Sequence, residues 1–273
     1  MDFKKIEESI SLIKKTEKLA LNLNPNGFYL GFSGGKDSLV CYDLLKKANV
    51  KFIAVYNVTG IDPPQNVYYI RKNFDDVKFS FPKESFFNLV ARKGLPSRQR
   101  RYCCELLKEN TFPNCVAVLG IRRDESAKRS SYDSLVVKSK NKENRIAKNI
   151  DEMTKLKFQC VSGNDSFNFY PILEWSEKMV WDYIKYYNLP INPCYEQFNR
   201  VGCMICPFAS KRKMLFFFEQ YPKFKDLLLR KYKEFLKKRN KEDLVDIYIE
   251  WFIDGHHKLE YFFEKSKQLN LFK

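Results

Sequence analysis

The spacing of hydrophobic and polar residues changes several times along the chain. An amphipathic helix is expected at the N-terminus, where apolar residues recur at helical spacing: Phe3, Ile6, Ile10, Ile13, Leu19, Ala20 and Leu23. The NPNG stretch at 24–27 ends it. Short apolar runs typical of buried strands then follow at 28–32, 51–58, 77–81 and 115–120. Helical patterns separate or follow these runs at 37–48, 67–74, 85–93 and 176–187.

This alternation of strand and helix predicts an α/β fold, with a parallel sheet that carries helices on both faces. Residues 126–157 are polar and basic without a clear period, which favours a surface excursion. Residues 214–263 are charged, aromatic and helical in pattern. The predicted organisation is therefore an N-terminal helix over 1–24, a nucleotide-binding and metal domain over 25–210, and a helical C-terminal extension over 211–273.

Composition adds a strong positive charge to this picture. The 273 residues are 44% hydrophobic, which supports a packed core, and they include 49 Lys and Arg against 33 Asp and Glu. A net charge of +16 favours polyanionic partners such as nucleic acid, nucleotides or an acidic protein, although a lysine-rich composition alone is the simpler alternative. The N-terminus lacks an apolar signal region and no run is long enough for a bilayer, so a cytoplasmic protein without membrane contact is expected. A homodimer is the expected assembly.

The stretch SGGKDS at 33–38 lies between a predicted strand and a predicted helix. Glycines there let backbone N–H groups approach phosphate oxygens closely, and a helix N-terminus favours anions. The Walker A pattern does not fit the stretch. A phosphate-binding loop is predicted, the alternative being a glycine turn that only starts a helix.

SGGKDS resembles the signature loop of the PP-loop ATP pyrophosphatases, which share the adenine-nucleotide alpha-hydrolase fold and cleave ATP between its α and β phosphates. The resemblance implies that Asp37 supports Mg²⁺ or the loop itself. It also implies phosphate contacts from the other loop residues, namely Ser33, Gly34, Gly35, Lys36 and Ser38.

Four of the eight cysteines form two close pairs, Cys103 with Cys104 and Cys203 with Cys206. In a reducing compartment such cysteines are metal ligands or reactive thiols more often than disulfides. Four thiolates suit either Zn²⁺ or a [4Fe–4S] cluster on ligand count, and four unrelated buried cysteines are the remaining alternative. The others are interpreted as isolated small hydrophobes: Cys41, Cys115, Cys160 and Cys194.

The tandem pair with a distant CxxC resembles the [4Fe–4S]-containing members of the phosphoadenosine phosphosulfate (PAPS) and adenylyl sulfate (APS) reductase family. The resemblance implies a cluster on those four cysteines, with Lys108 beside the cluster and the substrate. Residues 120–129 are similar to the family's GxRxxxSxxR segment, which grips the anionic end of the nucleotide. The residues implied are Arg122 and Arg129 as catalytic groups and Arg123 and Ser126 as nucleotide contacts. Further similar stretches lie at 170–175, 180–184 and 189–193, so the resemblance covers 28–207.

Two features depart from the reductase pattern. No cysteine follows Cys206, where thioredoxin-dependent reductases carry a C-terminal thiol, and the SGGKDS loop is intact, as in members that cleave ATP. One hypothesis is an atypical PAPS or APS reductase that releases sulfite and takes electrons or a thiol from a donor protein or from Cys194.

The second hypothesis is an ATP- and Mg²⁺-dependent sulfur transfer to nucleic acid, either a tRNA base or a DNA phosphorothioate. The third is a nucleotide-binding protein that acts only within a complex.

Overall fold

The computed structural model describes residues 1–109, 114–126, 129, 132–138 and 166–254. The chain forms two compact units. Unit 1 comprises Met1–Asn57, Pro64–Ser80 and Asn110–Val201, and unit 2 comprises Val58–Pro63, Phe81–Glu109 and Gly202–Lys273. Within the described ranges, every helix is too short or too polar to cross a membrane.

Six strands make up the sheet of unit 1: β1 Phe28–Gly31, β2 Phe52–Asn57, β3 Lys78–Ser80, β4 Val116–Val118, β5 Leu135–Lys138 and β6 Ser166–Phe169. The nine helices of the described chain are α1 Phe3–Leu23, α2 Lys36–Ala48, α3 Pro64–Asn73, α4 Phe86–Lys93, α5 Tyr102–Cys104, α6 Glu177–Tyr186, α7 Lys211–Gln220, α8 Pro222–Lys237 and α9 Val245–Ile253. A π-helical turn over Glu105–Glu109 continues α5.

The sheet has the order β3-β2-β1-β4-β6-β5, and only β5 runs antiparallel to its neighbour. Phe28 and Leu30 of β1 are fully buried, as expected for a strand with a neighbour on each side. The strand order moves from β1 to β2 and β3 in one direction and to β4 and β6 in the other. β1 and β4 therefore flank the topological switch point, outside which ligands bind in open α/β sheets.

A separate hydrophobic core holds unit 2 together. Helix α8 contributes Leu228, Tyr232 and Leu236, which recur at a spacing of four and lie on one buried face. Cys103 belongs to this core, and Cys104 and Cys203 pack against it. The predicted metal-ligand segments therefore fold together with the C-terminal helices.

The prediction of a mostly parallel α/β sheet is confirmed, and the four predicted strands and the helices predicted over 85–93 and 176–187 lie where expected. Two strands were missed. Residues 126–157, interpreted as a surface excursion, include β5, and β6 was not predicted. The two compact units group segments by shared burial rather than by chain order. The rest of the basic stretch from 139 to 157, Cys160, and residues 255–263 of the predicted extension lie outside the described residues.

A truncation in β6 tests the sheet assignment. Phe169 is fully buried and stacks on Phe28 with ring centroids 6.0 Å apart. Replacement of Phe169 by Ala should lower the free energy of unfolding by about 3–5 kcal/mol, measured by urea denaturation, because a large cavity remains. Phe81→Ala removes a ring that is 67% exposed and should cost less than about 0.5 kcal/mol. Equal effects of the two substitutions would contradict the burial of β6.

Candidate functional site

The predicted phosphate loop connects the end of β1 to the start of α2 in unit 1. Gly34 has a φ of +76°, and a Cβ at this position would lie 2.3 Å from Oδ1 of Asn66. Both the backbone conformation and the close neighbour therefore require glycine. Gly35 is the N-cap residue of α2, so the N–H groups of the first helical turn point out of this end of the helix. An anion is favoured there by the helix dipole.

Two buried asparagines, Asn66 and Asn192, hydrogen-bond to the backbone of the loop. The side-chain amide of Asn192 donates to the Gly34 carbonyl at 2.9 Å and to Oδ1 of Asn66 at 2.6 Å. The Asn66 amide in turn donates to the Ser33 carbonyl at 3.2 Å. Asn192 lies in the stretch at 189–193 that carries part of the family resemblance, but neither asparagine was assigned a role from the sequence. Their amides leave both loop carbonyls satisfied and fix the turn.

Serine hydroxyls tie the two ends of the loop together. The Ser38 hydroxyl donates to the Gly35 carbonyl at 2.8 Å and accepts from the Ser33 N–H at 3.2 Å. The hydroxyl oxygens of Ser33 and Ser38 are 3.1 Å apart. The Lys36 N–H donates to the hydroxyl of Tyr195 at 2.8 Å. Burial raises the pKa of Tyr195 to about 12, so this phenol is neutral at physiological pH.

Lys36 is buried, and charged and aromatic groups surround its ammonium. The Nζ atom lies 3.3 Å from a carboxylate oxygen of Glu177 and 3.7 Å from one of Asp37. It also lies 5.8 Å from the ring centroids of both Trp181 and Tyr195. The Glu177 carboxylate is 57% exposed. A phosphate group could therefore take its place beside the ammonium at small cost.

Arg122, predicted as a catalytic residue that holds the anionic end of the nucleotide, lies next to the loop and pairs with carboxylates. Its side chain is 3% exposed, and Nε donates to the Asp37 carboxylate at 2.7 Å. A second nitrogen lies 3.3 Å from Asp124. A Cβ at Gly120 would lie 2.7 Å from the backbone of Asp37, so the two segments approach closely. The geometry makes Arg122 a residue that positions Asp37.

The other residues of the predicted anion-binding segment are also paired. Arg123 lies 2.9 Å from Glu174 and donates to the Tyr132 carbonyl at 2.7 Å. Arg129 forms an ion pair with Glu125. Burial and the positive charge of Arg200 lower the pKa of Arg129, so Arg200 acts on the same region. Arg200 was not predicted from the sequence, because no local pattern distinguishes it. Ser126 is exposed after the short 3₁₀ turn at Arg123–Glu125.

Lys108 and the cysteine pairs belong to unit 2. The Lys108 ammonium donates to Sγ of Cys203 at 3.3 Å and lies 3.7 Å from the Asp62 carboxylate. Cys203 is also 3.5 Å from Asp62. The Thr59 hydroxyl donates to this carboxylate at 2.8 Å and holds it in place. Asp62 was not predicted from the sequence, because it lies 41 residues before Cys103 and no local pattern marks it.

Burial and neighbouring charges shift the pKa values of these groups. Burial raises the pKa of Cys203 to about 12, although Lys108 opposes the shift. Burial opposes the charge on Lys108, but Cys203 and Asp62 outweigh it and raise the pKa of the ammonium. A hydrogen bond with Cys104, and then burial, raise the pKa of Cys103. A metal ion would displace the thiol protons, because it binds the thiolate form.

The donor set fits a thiolate-ligated metal group. Four thiols in two pairs belong to one unit, and sulfur ligands suit iron–sulfur clusters and zinc. In the part of the chain that the structure describes, no three His, Cys, Asp or Glu side chains are arranged around a single metal ion. Ligand chemistry alone therefore admits either kind of metal group.

The variant Gly34→Ala tests whether the loop requires glycine, and Gly60→Ala is its matched control. Gly34→Ala should weaken ATP and APS binding at least tenfold, measured by isothermal titration calorimetry, because the new methyl group displaces Asn66. Gly60 has a similar φ of +75°, and a Cβ added there would meet nothing within 4 Å, so Gly60→Ala introduces only the backbone strain. Equal losses of affinity in the two variants would contradict the proposed phosphate site.

Comparison with known proteins identifies the family. The family model described as "Phosphoadenosine phosphosulfate reductase domain" matches residues 28–209. An adenosine 5′-phosphosulfate reductase of Staphylococcus haemolyticus is 30% identical over 64% of this chain and 68% of its own length. Adenosine 5′-phosphosulfate reductase 2 of Bacillus subtilis is 24% identical over 65% of this chain and 71% of its own length.

Other similar proteins are longer or more distant. The uncharacterised protein MJ0066 of Methanocaldococcus jannaschii is 30% identical over 77% of this chain, which spans only 42% of that protein. The structure of a PAPS reductase from Candida auris has a TM-score of 0.47 and 16% identity, covering 74% of this chain and 96% of its own. With the family match spanning the sheet, the phosphate loop and both cysteine pairs, the chain belongs to the phosphoadenosine phosphosulfate reductase domain family.

Proposed function

We propose that the protein reduces an adenylyl sulfate, APS or PAPS, and releases sulfite. The observation that carries the proposal is the Lys108 ammonium, which is held 3.3 Å from Sγ of Cys203. A fixed cation among paired thiols can stabilise negative charge on a sulfonyl group as it is transferred. Family membership and the curated relatives named adenosine 5′-phosphosulfate reductases support the same reaction.

Unit 1 would bind the nucleotide. The N-terminus of α2 and the Lys36 ammonium attract its phosphates, and Arg123 and Arg129 can exchange their carboxylate partners for anionic oxygens. Arg122 keeps Asp37 in place rather than gripping the sulfate. Whether the nucleotide carries a 3′-phosphate is decided by comparing sulfite release from APS and from PAPS.

Cys103, Cys104, Cys203 and Cys206 would hold a [4Fe–4S] cluster. When bound, such a cluster supplies a redox-active centre in the unit that contains Lys108. Asp62 fixes the orientation of Lys108 through the contact at 3.7 Å. This contact keeps the ammonium charged among the thiols.

The reaction needs two electrons from outside the described residues, and we assign them to a dithiol donor protein. One donor thiol attacks the sulfate sulfur, the bond between that sulfur and the phosphate oxygen breaks, and AMP or its 3′-phosphorylated form leaves. The second donor thiol then displaces sulfite, and the donor becomes a disulfide. Cys194 is a poor internal thiol because it is 7% exposed and its segment caps the loop network through Asn192.

The assay measures sulfite from APS and from PAPS, with protein purified without oxygen and a dithiol donor supplied. Lys108→Gln should lower kcat about 100- to 1,000-fold, because the substitution removes the charge that stabilises the transferred sulfonyl group. Lys238→Gln removes a charge from an exposed helical end and should leave kcat unchanged. A wild-type rate in Lys108→Gln would exclude Lys108 from the reaction.

Two cysteine variants test whether the protein holds an iron–sulfur cluster. Cys206→Ser should remove most of the iron and the visible absorbance of the purified protein, whereas Cys194→Ser should keep both. Cys194→Ser should also keep full activity if the thiol comes from a donor protein. Zinc in place of iron in the wild-type protein would contradict the cluster.

A second candidate is ATP-dependent sulfur transfer to nucleic acid, which the intact SGGKDS loop favours. Asp37, Lys36 and Ser38 retain the side chains that the ATP pyrophosphatases use, and Mg²⁺ would accompany the ATP. Release of AMP and pyrophosphate from ATP, without sulfite from APS or PAPS, would replace the first candidate by this one.

A further inference from the structure

Unit 2 carries a basic concave surface that the proposed reduction of an adenylyl sulfate does not use. The cavity has a volume of about 450 Å³. It is lined by Lys93, Gln99, Arg100, Arg101, Tyr102 and Glu105. Three cations against one carboxylate give the lining an excess of positive charge. Its volume lies in the range of sites that take one small ligand or one nucleotide unit.

An exposed aromatic ring belongs to the same basic surface. Phe208 is 56% exposed, and the guanidinium carbons of Arg98 and Arg101 lie 5.8 and 5.3 Å from its ring centroid. Arg98 also donates to the Pro207 carbonyl at 3.2 Å, which anchors the aromatic residue to the arginine segment. A phenyl ring and planar guanidinium groups are therefore presented together.

We propose that this surface binds single-stranded nucleic acid. Phosphates would pair with Arg100 and Lys93 at the cavity, and a base would stack on Phe208 and its neighbouring guanidinium groups. Basic side chains that follow a backbone, together with aromatic rings for the bases, are how proteins bind single strands without reading their sequence. An acidic protein would use the cations but has no general need for the stacking group.

The residues of this surface lie close in sequence to the two cysteine pairs. Arg101 precedes Cys103 by two residues, and Phe208 follows Cys206 by two residues. A strand held here would lie beside the segments that carry both cysteine pairs. If the second candidate reaction operates, this strand is the sulfur acceptor. The binding itself depends on neither reaction.

Fluorescence anisotropy with labelled 20-nucleotide oligo-uridine RNA and oligo-thymidine DNA tests the proposal on the full chain. The double variant Lys93→Gln with Arg100→Gln should bind more weakly, and its plot of log affinity against log salt should be shallower by about 1.4, the value for two lost phosphate contacts on a single strand. The matched control is Lys223→Gln with Lys225→Gln, which removes the same charge from exposed positions of α8 in the same unit. If the two double variants lose the same affinity and show the same salt dependence, the surface is not a defined binding site and the proposal is overturned.

The stacking role is tested separately. Phe208→Ala should weaken binding about tenfold or more, as for loss of one stacked base, whereas Leu215→Ala, at an exposed apolar position of α7, should not. Polyglutamate is the competing probe. If it displaces the oligonucleotides equally well and Phe208→Ala changes nothing, the surface is a site for acidic protein and the proposal fails. No binding of either oligonucleotide at physiological salt also overturns it. Sulfite release by Phe208→Ala, measured in parallel, reports on the proposed reaction independently.

Discussion

The phosphate loop depends on a buried ion pair between Arg122 and Asp37. The guanidinium is almost inaccessible to water, so its desolvation must be offset by close carboxylates, and Asp37 and Asp124 supply them at 2.7 and 3.3 Å. The pair joins the turn after β4 to the first turn of α2, the two segments at the switch point of the sheet. Removal of one partner would leave a charge uncompensated, which makes this contact a precondition of the site.

The polar groups around the cysteine pairs of unit 2 come from three segments that are distant in sequence. Asp62 follows β2, Lys108 follows the tandem cysteines, and Cys203 precedes the C-terminal helices. The chain enters this unit after β2, again after β3 and again at Gly202, and residues 110–201 of unit 1 separate the two cysteine pairs in sequence. Burial in a common core, with Cys103 inside it, is what brings the segments together.

Local signals predicted the local features of the fold. A glycine-rich loop after an apolar run predicted the β1–α2 turn, and the helical pattern over 176–187 predicted α6. The strand β6 has the sequence SFNF, in which polar residues interrupt any apolar run, and β5 lies in a polar stretch whose pairing only the sheet reveals. Asp62 and Arg200 carry no local signal at all, because their roles arise from tertiary neighbours.

The family resemblance assigned anion contacts to all three arginines and did not distinguish their environments. Arg123 and Arg129 are partly exposed and paired with carboxylates, and such pairs contribute about 0–1 kcal/mol each. An anionic ligand can therefore replace the carboxylates at small cost and gain bidentate hydrogen bonds in return. Arg122 is different, because its partner is the loop carboxylate itself and its own side chain is only 3% exposed. The same sequence segment thus combines one fixed arginine, which shapes the loop, with two exchangeable ones that can follow the ligand's charge.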